Sequence, residues 1–70
     1  MITKETAKRK LTRKLNHMFT KEEQKNLSFL PDQEDDKSVS WIFVTKDQKI
    51  ELTCCLKQGI IITASAPAIG

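Results

Sequence analysis

Residues 38–66, SVSWIFVTKDQKIELTCCLKQGIIITASA, decide the fold. Three runs rich in β-branched and aromatic residues, Ser38–Thr45, Lys49–Leu56 and Ile60–Ala66, alternate in character and are separated by turn-forming residues. They predict three antiparallel strands joined by two hairpins. A slip of one residue sends every side chain of a strand to the other face, so the apolar pattern tests each register. With Lys57-Gln58-Gly59 as a three-residue loop, Gly59 supplies the left-handed position of a type I turn plus bulge. Leu56 then faces Ile60, Cys54 faces Ile62 and Leu52 faces Ala64. A two-residue loop mixes apolar with polar partners, and the three-residue loop is preferred. The first hairpin needs a loop of even length, Lys46–Lys49 or Asp47-Gln48, to set Val39, Trp41 and Phe43 beside Leu56, Cys54 and Leu52. The four-residue version avoids opposing Lys46 to Lys49.

Upstream the period changes. From Lys4 to Phe19 the chain contains neither Gly nor Pro, and Ala7, Leu11, Leu15, Met18 and Phe19 recur at helical spacing. They span an apolar arc of about 120°, with Thr3 placed to cap the helix. Thr20-Lys21-Glu22-Glu23 has the form of a capping box. Either the helix stops near Phe19 and a short one restarts, or one helix runs on to about Asn26; the helical region is set at about 4–27. Pro31 ends it, and the acidic stretch 31–37 reads as an exposed loop.

The expected architecture is therefore α+β: an N-terminal amphipathic helix packed on a three-stranded antiparallel β-meander over residues 38–66, with a short fraying tail at 67–70. The core is expected to hold Ala7, Leu11, Leu15, Met18, Val39, Trp41, Phe43, Ile50, Leu52, Cys54, Leu56, Ile60 and Ile62, with Leu27 and Leu30 closing one end.

Seventy residues, 39% hydrophobic and 30% charged, fit one small domain and exclude most folds that wall a catalytic cleft. A chain this short buries only about 60% of its unfolded surface, which favours self-association. No signal peptide and no membrane span is read, and two adjacent cysteines do not make a disulfide framework. A cytoplasmic, reduced chain is expected. The single histidine has no partner to form a catalytic dyad, and neither it nor Cys54-Cys55 has metal-ligand spacing. No enzymatic activity, metal, cofactor, membrane contact or small-molecule substrate is expected.

Two surfaces remain. Residues 1–31 carry eight Lys/Arg against three Asp/Glu, a charge of +5, whereas residues 32–70 carry four against six, or −2. Arg9, Lys10, Arg13, Lys14 and His17 form adjacent rows on the helix, expected to point away from the sheet toward phosphates. A merely solubilising face is the plainer alternative. The acidic loop is one candidate to shield Lys10 or Lys14. The second surface is the uncovered sheet face, where Ile42, Val44, Cys55 and Ile61 are expected to cluster as a protein interface. Strands Ser38–Thr45 and Ile60–Ala66 are expected at the sheet edges, open to pairing with another chain. The leading expectation is a small non-enzymatic binding module contacting nucleic-acid backbone. The alternative is a protein-interaction or inhibitor module, homodimeric or in a hetero-complex.

Overall fold

The computed structural model describes residues 1–67 and is α+β. Helix α1 spans Lys4–Met18 and α2 spans Lys21–Gln24; strands β1 Ser28–Phe29, β2 Gln33–Glu34, β3 Ser38–Val44, β4 Gln48–Cys55 and β5 Ile61–Pro67 follow. All five strands belong to one sheet, ordered β1-β3-β4-β5, with β2 also paired to β3 and every pairing antiparallel.

The apolar stripe of α1 does what its spacing requires. Ala7, Leu11 and Leu15 are buried against Val39, Phe43, Ile50, Leu52, Cys54 and Leu56, with Met18 and Trp41 half-buried at the margin. The Thr3 hydroxyl caps the helix by accepting the Thr6 N–H at 3.1 Å. The alternative left open at Thr20 resolves as a break. The Thr20 N–H donates to Glu23 Oε1 at 2.9 Å, and the Glu23 N–H donates to Thr20 Oγ1 at 3.1 Å. This reciprocal pair satisfies donors that a continuous helix would have to bond differently. The Gln24 side-chain amide reaches back to the Phe19 carbonyl and to Asn16 Oδ1, tying α2 to α1. Extended backbone at Phe19 swings its ring edge-on to Phe43, at 5.8 Å between centroids.

Residues 28–35 do more than an exposed loop would. Ser28–Phe29 pair with Val44 and Phe43, the Leu30 N–H donates to the Ile42 carbonyl, and Gln33–Glu34 pair with Ser40 and Val39. The meander is thus extended to five strands, and β3 is an inner strand rather than an edge. Phe29 packs its ring against Phe43 at 5.5 Å. At the following turn, the Asp35 carboxylate accepts the Lys37 N–H at 2.7 Å and the Ser38 N–H at 2.9 Å. These two backbone bonds, Lys37's the stronger influence, hold its pKa below that of an ordinary aspartate.

Both hairpins depart from the expected registers. The first keeps the expected faces, Val39, Trp41 and Phe43 lying opposite Cys54, Leu52 and Ile50, but is shifted by two residues. Its loop is Lys46-Asp47, because the Thr45 hydroxyl accepts the Asp47 and Gln48 N–H groups and closes the turn locally. The second hairpin is shifted by one residue, and so inverts β5. Cys54 pairs with Ile61, and Leu52 with Thr63. The physical reason lies at Leu56. Its N–H donates to the Lys37 carbonyl at 2.9 Å and its carbonyl accepts the Ile2 N–H at 2.8 Å, while its side chain is buried. Leu56 is thereby held in the core and opens a four-residue turn, Leu56–Gly59. The Gly59 N–H closes it onto the Cys55 carbonyl at 2.7 Å, with Gly59 left-handed at φ +69°. Ile61 consequently packs against the core, while Ile60 and Ile62, expected inside, are 49% and 57% exposed. Leu30 is likewise exposed at its end of the sheet, whereas Leu27 packs against the core. β5 runs on through Pro67, one residue past the expected end of the meander at 66; the rest of the tail, 68–70, lies outside the described residues.

Two measurements check this account. Phe43→Ala, which removes the ring that Phe19 and Phe29 both contact, is expected to cost about 3–5 kcal/mol in urea unfolding. Ile62→Ser should stay within about 0.5 kcal/mol of the parent, as exposed substitutions do, whereas Ile61→Ser should cost more than that. On the acid side, a lowered folded-state pKa at Asp35 contributes stability above the unfolded value that is lost as pH falls through the folded one. NMR titration should place the Asp35 midpoint below an ordinary aspartate's, and Asp35→Ala should flatten the acid limb of the stability profile.

Candidate functional site

Helix α1 lies over β3 and β4, so its two flanks look onto opposite margins of the sheet. On the β2 side, Lys4 and Lys8 meet Glu34 at 3.8 and 3.3 Å. Among the described residues these are the ion pairs; Arg9, Lys10, Arg13 and Lys14 lie outside them. The acidic segment therefore sets one carboxylate, Glu34, beside Lys4 and Lys8, and among the described residues no carboxylate pairs with Lys10 or Lys14, contrary to the shielding first considered.

The expected basic surface is present but turned. Arg9 and Arg13 line the outer groove of the helix with Glu5, Lys8, Thr12 and Asn16. Lys10, Arg13, Lys14 and His17 instead line a shallow groove with Ile61 of β5. Lys10 is half-buried, and its ammonium reaches the Gly59 turn. The rows do not all point away from the sheet, because Lys10 and Lys14 border the apolar stripe rather than oppose it at about 100° per residue. With Arg13 and His17 they form a basic ledge beside Ile61, at the start of the helix-side face of β5.

The expected apolar cluster on the other sheet face is not assembled. Ile42 is only 8% exposed, flanked by Leu30 and by Glu51 in the neighbouring strands. Val44 and Cys55 are half-buried, and Ile61 lies on the opposite face. Ser40 is also buried, its hydroxyl 2.9 Å from that of Thr53. Exposed apolar surface on that face comes from Ile60, Ile62, Ala64 and Ala66, in β5 and the residue before it, and from Leu30 at the other margin. The signal that finds the first four is the register at Leu56, not their hydrophobicity.

The two sheet margins differ in kind. Along β3 the outer backbone groups of Ser38, Ser40, Ile42 and Val44 face Asp35, Gln33, Leu30 and Ser28, the Leu30 and Asp35 N–H groups donating to the Ile42 and Ser38 carbonyls. Along β5 the Cys55 N–H donates to the Ile60 carbonyl at 2.9 Å. Since antiparallel ladders alternate, Ile60, Ile62, Ala64 and Ala66 aim their backbone groups at β4. Ile61, Thr63 and Ser65 aim theirs outward. Pro67 falls in the outward set, where its missing N–H breaks no ladder bond. β5 itself carries no charged side chain, and the charges beside it are those of α1, Lys10, Arg13, Lys14 and His17, which line the groove with Ile61.

Both cysteines are thiols, Cys54 buried and Cys55 half-exposed. Burial pushes the Cys54 thiol up, against the opposing pull of the Lys10 ammonium. A thiol reagent should modify Cys55 in the folded protein and reach Cys54 only on unfolding; simultaneous labelling of both would contradict this placement. No helix of the described residues is long and apolar enough to cross a membrane. No family model, curated protein or solved structure matches this chain, and the functional reading rests on its own side chains.

Proposed function

We propose that the chain is a non-enzymatic binding module that holds the phosphate backbone of a nucleic acid on the ledge formed by Lys10, Arg13, Lys14 and His17, with Arg9 extending it over the top of α1. The observation that carries this reading is selective neutralisation. Glu34 pairs with Lys4 and Lys8 and leaves the other cations of the helix outside any ion pair among the described residues. Paired lysines lose much of their attraction for a polyanion, whereas unpaired ones release condensed counterions when they meet phosphates. The net charge of +3, concentrated in the N-terminal half, favours encounter with such a partner.

Contacts of this kind read backbone rather than base sequence. The β5 residue on the ledge, Ile61, contributes no aromatic stacking platform. Trp41 is half-buried against the core, and Phe43 is fully buried. Weak discrimination among sequences follows.

Fluorescence anisotropy with labelled oligonucleotides at several salt concentrations tests the proposal. If Arg9, Lys10, Arg13 and Lys14 all engage duplex phosphates, the log–log salt slope is expected to be about −3 to −4. Alanine at these four positions should abolish binding, whereas alanine at Lys4 and Lys8 should change it far less. Affinity that ignores salt, or that survives the fourfold substitution, would overturn the reading.

A further inference from the structure

We infer that β5 is a self-pairing edge: it adds, antiparallel and about a two-fold axis at Thr63, to β5 of a second copy of this chain, joining the two sheets into one. Three observations select this occupant. The first is the asymmetry of the margins. Segment 28–35 is laid along β3 and covers its backbone, yet among the described residues β5 presents the outward N–H and C=O groups of Ile61, Thr63 and Ser65 and carries no charged side chain itself, the nearby cations being those of α1. An edge whose backbone groups are left open can accept another strand.

The second observation is that the strand is complementary to itself. Pairing about Thr63 sets Ile62 opposite Ala64 of the other copy and Ile60 opposite Ala66 on the face away from α1. On the helix side it sets Ile61 opposite Ser65 and Thr63 opposite Thr63. Every large side chain meets a small one, no like charges oppose, and the hydroxyls at the axis meet each other. Ile60 and Ile62, the exposed isoleucines, gain cover in this arrangement.

The third is the place of proline. The bonded pairs 61–65, 63–63 and 65–61 form about six new backbone hydrogen bonds, two per bonded pair as in any antiparallel ladder. Pro67, which has no N–H to donate, falls outside them. Moving the axis to Ala64 would oppose Pro67 to Ile61 and lose a bond; moving it to Ile62 would oppose two isoleucines.

In the resulting dimer the basic ledges of the two copies lie on the same, helix-side face of the joined sheet, each beside its own Ile61. Their mutual repulsion opposes association at low salt and is screened at high salt, where the Debye length falls to about 3 Å at 1 M. The pairing does not depend on the nucleic-acid reading, and it is assayed without any nucleic acid present.

Sedimentation equilibrium at high salt and up to millimolar protein should show a monomer–dimer equilibrium for the parent chain. Thr63→Pro removes an outward N–H that β4 does not use, and Thr63→Lys sets like charges face to face at the axis. Both should remain monomeric at concentrations where the parent dimerises, with circular dichroism confirming that they are folded. Within the dimer, Ile62 faces Ala64 of the other copy as a non-bonded pair, where Cα atoms come to about 4.5 Å and side chains are closest, the geometry a disulfide needs. A chain carrying both Ile62→Cys and Ala64→Cys should therefore crosslink to a dimer under mild oxidation, whereas Ile62→Cys alone, out of register with its own mate, should not. A parent chain that stays monomeric, or a dimer unaffected by the Thr63 substitutions, would overturn the inference.

Discussion

The architecture turns on how Leu56 is held. Its side chain enters the core, its N–H is taken by Lys37 and its carbonyl by Ile2, so it is unavailable to the last hairpin. The turn must begin there, and Cys55 becomes the last residue of β4 to bond β5. One backbone position thus determines which side of β5 faces the helix. Because the side-chain period of a strand is two, there is no intermediate outcome. Ile61, Thr63 and Ser65 come to lie on the helix side of the sheet, Ile61 beside the basic flank of α1, and Ile60, Ile62, Ala64 and Ala66 turn to the far face.

The same economy of a small chain explains the unequal margins. With so little core available, segment 28–35 contributes Phe29 to the aromatic group around Phe43 and at the same time covers the backbone of β3. Glu34, carried on that segment, reaches Lys4 and Lys8. Fold and electrostatics are coupled through it: the cover that protects one edge also neutralises one flank of the helix. The other edge and the other flank, β5 and the Lys10–His17 ledge, are left open together. That this edge and this flank are the uncovered ones among the described residues follows from where residues 28–35 lie.

Much of this was legible in the residues. The helical spacing of Ala7, Leu11 and Leu15 and the capping pattern at Thr3 identify α1, and the alternation in 38–66 identifies three strands. The parity of the first hairpin was legible too, since Val39, Trp41 and Phe43 cannot face outward without exposing most of the apolar content. Strands β1 and β2 were not, because two-residue strands have no periodicity of their own and exist only by pairing with β3. The β5 face was not, because three consecutive isoleucines at 60–62 satisfy either register about equally well. What discriminates is the long-range contact between Ile2 and Leu56, which no local pattern contains. The tilt of the basic rows toward β5 depends on how α1 sits across the sheet, and the Glu34 pairs depend on β2.

The central claim is therefore a register, and NMR tests it most directly. In antiparallel sheets the Hα protons of non-hydrogen-bonded pairs come into close contact. The account predicts strong cross-strand Hα–Hα contacts between Cys54 and Ile61 and between Leu52 and Thr63. Contacts from Cys54 to Ile62 and from Leu52 to Ala64 in their place would contradict it.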